Sequence, residues 1–377
     1  MAPERVRTVV IVGAGFSMYA GMPLQEDFTK ALLSGRGAGV GPSGRIVEHL
    51  RRFVNRTFDH KKMAAAKYWP ELEDIFTCLD LSANTGHNLG PKCTPSGLRT
   101  VRRALIYRII TMLRENYRDA VAARNEYWEQ LTDLMQRITC SDTGFISTNW
   151  DTVVEDLLGE TQQIQWYDYG CDAVRGSLHP GFDKICVEEP QRQASPFVIK
   201  MHGSVNWLYC EDCRRLFWLP SKETTKVAGQ LLSVEEWEKI APDTSHSRGR
   251  WSCDRCGATA LGIRLATFSY LKALDFPMFQ KSWFAAETIL REAENWVFIG
   301  YSLPGADFEF KYLLKRVQLS RRRPPEFAVI SGGDAAKTTY EHYQHFFGQR
   351  IRRETNFFFD GIDQRAIQYV TDLAGWK

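Results

Sequence analysis

The sequence predicts an α/β protein: a doubly wound parallel sheet interrupted by a helical insertion and by a second insertion built round cysteine pairs. Three observations predict it. Short β-branched runs alternate with helical patterns, which lays strands parallel with helices on both faces. The first run passes straight into Gly13-Ala14-Gly15, the kind of turn by which a Rossmann-like strand meets its first helix. Two C-x-x-C pairs, Cys210/Cys213 and Cys253/Cys256, stand apart from the strand and helix alternation.

The first strand is Val6 to Val12, and a helix follows from Leu24. The glycine-rich stretch Ser34–Gly44 reads as a flexible connection. From about 45 to 138 the patterns are helical, most clearly where Leu98, Val101, Leu105, Ile109 and Leu113 share one face. Arg99, Arg102, Arg103 and Arg114 fill much of the rest of that helix and read as a solvated basic face. Gly144–Thr148 is the second strand, with a helix starting near Trp150, then an irregular stretch from 160 to 195. Pro196–Met201 is the third strand, and 205 to 262 hold the cysteine pairs as an inserted module. A helix over 278–293 follows, with Phe279, Trp283, Ala286 and Leu290 on one face. Strands at Trp296–Gly300 and Phe327–Ile330 flank a helix near 306–319, which Arg321-Arg-Arg-Pro-Pro325 ends. The last strand is Asn356–Phe359, followed by a short helical tail, and no internal repeat is visible.

Composition narrows the function classes. A chain of 377 residues predicts two to three compact units with ample core. Its 48 Lys+Arg against 45 Asp+Glu leave a net charge of +3, so there is no broad field for polyanions and no strong direct nucleic-acid signal. No segment reaches the ~18 uninterrupted apolar residues of a membrane helix. Arg5 and Arg7 before Val9–Val12 resemble the start of a signal peptide, but Gly13–Gly15 break the apolar run too early. Of nine cysteines, the five outside the pairs (Cys78, Cys93, Cys140, Cys171, Cys186) are scattered and odd in number. That is no disulfide framework, and a reducing cytoplasm is expected.

The candidate chemistry gathers at strand ends. Gly13, Ala14, Gly15, Phe16 and Ser17, with Gly21-Met-Pro23, let the backbone approach a pyrophosphate at a helix start. Met18 stands where the dinucleotide fingerprint wants its third glycine, and the usual acidic residue ~20 positions on is absent; a tight turn without ligand is the competing reading. Thr148-Asn149-Trp150-Asp151 ends the second strand, where asparagine suits a ribose hydroxyl or water and helix capping is the alternative. His202, before Gly203, ends the third; imidazole suits general-base work, and a hydrogen-bonded structural histidine is the alternative. Gly300-Tyr301-Ser302 and Ser331-Gly332-Gly333 end the two late strands, so every candidate lies on one sheet edge. Cys210, Cys213, Cys253 and Cys256, with 39 residues between the pairs, supply four thiolates for structural zinc and leave no ligand position for water. Redox pairs are the alternative there.

Taken in order, these segments resemble the sirtuin family. Its glycine-rich cofactor loop is similar to Gly13–Ser17 with Gly21-Met-Pro23, and its Gln-Asn-Ile-Asp to Thr148–Asp151. Its His-Gly resembles His202-Gly203, its zinc module the four cysteines, its Gly-Thr-Ser turn Gly300–Ser302, and its adenosine-side strand end Val329–Ser331. The resemblance implies a Rossmann-like NAD-binding domain of 1–44, 139–204 and 263–377, a helical insertion of 45–138 and a zinc-binding module of 205–262.

Three departures shape the expected activity. Leu24-Gln25-Glu26 replaces the Asp-Phe-Arg of sirtuin deacylases, Thr148 replaces their Gln, and Leu265–Leu271 lacks the Val-x-Phe-Gly-Glu strand that pairs with acyl-lysine peptides. This pattern resembles the bacterial sirtuin-like branch of anti-phage defence, which implies an NAD hydrolase releasing nicotinamide and ADP-ribose. The resemblance gives Asn149 the ribose or water, His202 the base, and Asp151 the nicotinamide amide. It gives Gly13, Ala14, Gly15 and Ser17 the phosphates, and Ser302 and Ser331 the adenosine half. The alternatives are an NAD-dependent protein lysine deacylase, ADP-ribosyl transfer, and a non-catalytic module sensing NAD or ADP-ribose. Control is expected from homo-oligomer assembly or from a separately encoded partner, a translocase-type ATPase or an Argonaute-like protein.

Overall fold

The computed structural model describes residues 5–34, 41–58, 69–138, 141–179, 183–189, 195–242, 251–259, 261–263, 265–266 and 276–375. Its centre is a six-stranded sheet of β1 (Thr8–Val12), β2 (Thr143–Ser147), β5 (Val198–Lys200), β9 (Asn295–Ile299), β10 (Glu326–Ile330) and β11 (Phe357–Phe358). The order is β11-β10-β9-β1-β2-β5, and every pair is parallel. Val12 stands opposite both Ser147 and Ile299, so these strands end level. From β1 the chain builds outward through β2 and β5, then returns to β1's other side at β9. That reversal is the switch point at which open α/β sheets leave a crevice.

The period of two in β1 decides what each sheet face meets. Val9 and Ile11 pack with Ile146, Ile199, Phe298 and Val329 beneath α10 (Pro277–Glu292), α11 (Phe308–Ser320) and α12 (Ala336–Phe347). Val10 and Val12 face the opposite core, shared with α6 (Glu126–Ile138), α7 (Val153–Gln162) and α13 (Gln364–Ala374). The β-branched runs are fully buried strands, as their unbroken apolarity predicts.

Between β1 and β2 lie α1 (Ala14–Met18), α2 (Gln25–Ser34), α3 (Gly41–Thr57), α4 (Leu72–Thr85), α5 (Pro95–Ala123) and α6. Helix α5 starts sharply because Thr94 Oγ1 accepts from Gly97 N–H at 3.2 Å and Pro95 follows the cap. Its predicted apolar stripe is buried, and Arg99 is exposed as the solvated-face reading expects, but the other three arginines of that face are held by carboxylates. Arg102 pairs with Asp80, Arg103 with Glu236 and Arg114 with Asp156, while Arg108 is fully buried on Leu32 O and Glu115. Periodicity located the helix; it carried no sign that neighbouring elements would bring carboxylates to both flanks.

A second sheet runs β4-β3-β7-β6-β8, from β3 (Ala173–Ser177), β4 (Cys186–Val187), β6 (Trp207–Cys210), β7 (Leu216–Trp218) and β8 (Leu261–Gly262). β3 and β4 come from the stretch that reads as irregular. Their sequences hide them: Ala-Val-Arg-Gly-Ser carries one β-branched apolar residue, and the strand forms because β7 offers an edge. Arg175 then lies over Trp166 and Trp218 and pairs with Glu188 at 2.9 Å. Two short helices, α8 (Thr224–Gly229) and α9 (Val234–Ile240), complete this region, α9 closed by a Ser233/Glu236 capping box. Three smaller differences remain. α7 begins at Val153, not Trp150; α3 begins inside the glycine-rich stretch at Gly41; and α12 has no sequence counterpart. Its two threonines and four aromatics favour strand over helix, and packing of Tyr343 and Phe347 on the sheet overrides them. Cys140, most of Ser34–Gly44 and Thr267–Leu271 lie outside the described residues. Among the described residues no helix is long and apolar enough to cross a membrane.

Candidate active site

Two backbone turns meet at the switch point with no room for side chains. A Cβ on Gly13 would fall 2.6 Å from Gly300 O, and one on Gly300, at φ +62°, only 2.1 Å from Phe16 N. Gly13 N–H donates to Ile299 O at 3.1 Å and Gly15 N–H to Gly300 O at 2.9 Å. The glycines therefore bring β1 and β9 turns together, and the Gly15 N–H, expected to face phosphate, is already committed. Ala14, Gly15 and Ser17 line the cavity this contact borders; Gly13, Phe16 and Gly21 stand outside its lining. Phe16 is core, and Gly21 (φ +79°) closes the turn after α1.

The cavity, of about 1030 Å³, runs from the end of β10 across β9, β1 and β2 to the helical insertion. That is the upper end of the range for ligand clefts, ~300–1,000 Å³. Thr148, Asn149, Asp151, His202, Gly300, Ser302 and Ser331 all border it, so one wall collects what the sequence scatters between positions 148 and 331.

Asn149 is fixed from β1's side. Its Nδ2 donates to Gly13 O at 2.9 Å and to Ser17 Oγ at 2.8 Å, which assigns the amide orientation because a carbonyl only accepts. Oδ1 is left as the acceptor. Asp151 partly follows the capping alternative: its Oδ1 accepts from Val153 N–H at 3.0 Å at the start of α7 while the residue borders the cavity. Beneath it, buried Lys200 donates to Asp151 O and lies 3.5 Å from buried Glu155, which Tyr169 OH also reaches at 3.2 Å. Burial pushes the Glu155 carboxyl up, and Lys200 opposes the shift. Removing Lys200 would strand that carboxylate in the core.

His202 follows β5. Its Nδ1 lies 3.0 Å from Thr148 O, which obliges Nδ1 to donate and leaves Nε2 as the ring's acceptor when neutral. Nε2 lies 3.7 Å from Oδ1 of Asp307, a cavity residue absent from the sequence reading. Tyr301 OH donates to the other Asp307 oxygen at 3.3 Å. Only an acidic residue in the first turn after the β9 loop hinted at it.

The far ends were equally silent. Beside β10, Tyr19 OH accepts from Ile362 N–H at 2.8 Å. Ser302 is exposed, its carbonyl held by His342 Nδ1 at 3.0 Å. At the insertion end Gln25 donates to buried Glu73, whose carboxyl burial pushes up, near Trp69 and Glu71.

The four cysteines converge in the second sheet. Their sulfurs all lie within 4.8 Å of one another, with Cys210–Cys256 at 3.6 Å and Cys213–Cys253 at 3.5 Å. A disulfide needs ~2.05 Å, whereas tetrahedral zinc at ~2.3 Å per thiolate places sulfurs ~3.8 Å apart. The donor set and spacing fit zinc, which Cys210, Cys213, Cys253 and Cys256 would hold. Arg215, paired with Asp254 at 3.2 Å, lies on the same hairpin.

No protein-family model matches the chain, and no curated protein matches it. Solved structures do. One from work on the mechanism and regulation of Sir2 enzymes is 15% identical, with 99% of this chain and 93% of that chain covered and a TM-score of 0.38. A Sir2 homologue mutant in complex with ADP-ribose is 12% identical, covering 99% and 92%, at TM-score 0.38. Sir2Af2 bound to a myristoylated histone peptide is 13% identical, covering 99% and 92%, at TM-score 0.34. Likeness at this level leaves the chemistry of the chain to its own residues.

Proposed function

We propose that the chain is an NAD hydrolase, cleaving NAD with water to nicotinamide and ADP-ribose. The observation that carries this reading is the pairing of a pinned amide with an oriented imidazole on one cavity wall. Asn149, held by Gly13 O and Ser17 Oγ, and His202, held by Thr148 O, stand beside the contact of the two glycine turns. Binding alone would not require a base with one nitrogen committed and the other left to accept.

In the reaction the bond between the nicotinamide nitrogen and ribose C1′ breaks, and its electron pair neutralises the pyridinium. The ribose passes through an oxocarbenium-like state. Asn149 Oδ1 positions the ribose hydroxyl or the water, and His202 Nε2 takes the water proton as oxygen bonds to C1′. Ala14 and Ser17 face the phosphates, and Ser331 the adenosine side. The thiolate site serves the second sheet and takes no part in bond breaking.

Two sequence features favour hydrolysis over deacylation. Leu265–Leu271 lacks the peptide-pairing motif, and the segment after Pro23 carries Gln25, Glu26 and Asp27 in place of an arginine. By the resemblance to the bacterial sirtuin-like branch, the enzyme serves anti-phage defence by depleting NAD, restrained by self-assembly or by a partner protein. The test is incubation with NAD as the only substrate. Nicotinamide and ADP-ribose in equal amounts support the reading; turnover that begins only when an acylated peptide is added overturns it in favour of deacylation.

A further inference from the structure

We propose that Asp307 is a positioning residue for His202, the two forming a carboxylate–imidazole pair that takes up charge when the ring gains a proton. The proposal rests on the NAD hydrolase reading for its reaction, and on geometry for the pair itself. His202 Nε2 and Asp307 Oδ1 lie 3.7 Å apart, with only 9% and 10% of the side chains exposed. Because Thr148 O fixes Nδ1 as a donor, the nitrogen facing the carboxylate is the one that accepts the proton. While the ring is neutral, a lone pair faces a carboxylate across a gap too long for a hydrogen bond. Once the proton has passed from water to Nε2, an N–H faces that carboxylate, so the contact becomes attractive only as the reaction proceeds. An interaction that strengthens between ground and transition state is the kind that raises kcat.

The surroundings hold Asp307 for this task. Tyr301 OH donates to Oδ2 at 3.3 Å; full burial pushes that phenol well above its ordinary range, so it stays a donor. Tyr343 OH in turn donates to Tyr301 O at 2.9 Å. Between Tyr301 and Asp307 the chain passes Leu303, a buried non-glycine residue at φ +53°. That left-handed backbone is strained for a leucine and sits in the short turn that leads to Asp307. Among the described residues, the other titratable groups on this part of the wall are Asp151, on the loop that also carries Thr148, and Tyr301. Lys200, at the end of the strand that His202 follows, reaches Asp151 O and Glu155 instead.

The test compares wild type with Asp307→Asn and Asp307→Glu. Asparagine keeps the size and the acceptor for Tyr301 but loses the charge. We expect Asp307→Asn to lower kcat by about 10- to 100-fold with KM for NAD little changed, and Asp307→Glu to recover part of the loss. The acidic limb of the kcat/KM profile moves to lower pH by about one unit, because a nearby carboxylate favours the imidazolium. Wild-type kcat and an unmoved limb in Asp307→Asn overturn the proposal. The same variants, labelled at histidine Cε1, are titrated by NMR without NAD, with His202→Gln assigning the signal. A lowered His202 midpoint in Asp307→Asn supports the pair even where wild type fails to cleave NAD, a failure that sinks only the hydrolase reading. An unmoved midpoint overturns the pair whatever the enzyme does to NAD. Should Asp307→Asn not fold, Tyr301→Phe replaces it; a kcat lowered several-fold supports the pair, and an unchanged one overturns it.

Discussion

At Gly300 the absence of a side chain is what lets the β1 and β9 turns touch. The backbone there sits at φ +62°, and any Cβ meets Phe16 N at 2.1 Å. Gly300→Ala should therefore part the β1 and β9 turns, cost about 2 kcal/mol or more in urea denaturation, and abolish NAD turnover. A variant as stable and active as wild type would contradict the close-contact role. Which residues were legible follows from how they are placed. Asn149 and His202 come directly after strands, so strand prediction alone puts them on the edge that borders the cavity. Asp307 reaches the same wall through a short turn containing a left-handed leucine, and Glu73 through a helix of the insertion. Neither position leaves a periodic or motif signal. The glycine loop was legible as a close-approach motif, but the partner it approaches, Gly300, became clear only in three dimensions.

The ion pairs of α5 show what helix patterning leaves unspoken at the scale of the element. Arg114 approaches Asp156 of α7 at 3.3 Å, yet burial dominates and pushes that carboxyl up to about 7. The unfolded carboxyl titrates near ~3.9, so folding takes up a proton between the two values. The stabilising contribution is complete below the unfolded value and is lost as pH rises through about 7. From pH 5.5 to 8.5 the wild type should lose about 2 kcal/mol through this group, and Asp156→Asn should not. Equal pH dependence of urea midpoints in both proteins would refute the assignment. The cysteine pairs were the most legible element signal, since spacing alone picked out the four sulfurs that converge. The strands around them were not, because β3 is too polar and too short to announce itself. Metal analysis should find about one zinc per chain, lost in Cys253→Ser together with several degrees of thermal stability. Wild-type protein free of metal and equally stable would argue for thiols alone.

Across the whole molecule, the alternation of apolar runs and helices was enough to set the parallel sheet and the edge on which the site lies. The order of the strands was not, since it depends on which side of β1 each crossover returns. The sheet reverses direction of growth at β1, and that reversal opens the cavity where Asn149, His202 and the glycine turns meet. The small net charge of +3 agrees with a single anionic substrate held by backbone and buried polar groups rather than by a basic surface. The central claim is that this cavity cleaves NAD with Asn149 and His202. Nicotinamide release from NAD, followed side by side for wild type, Asn149→Ala and His202→Ala of matched circular dichroism, tests it most directly. The account predicts steady release by wild type and at least ~100-fold slower release by both variants. Release at the wild-type rate by both variants, or none by wild type, would contradict it.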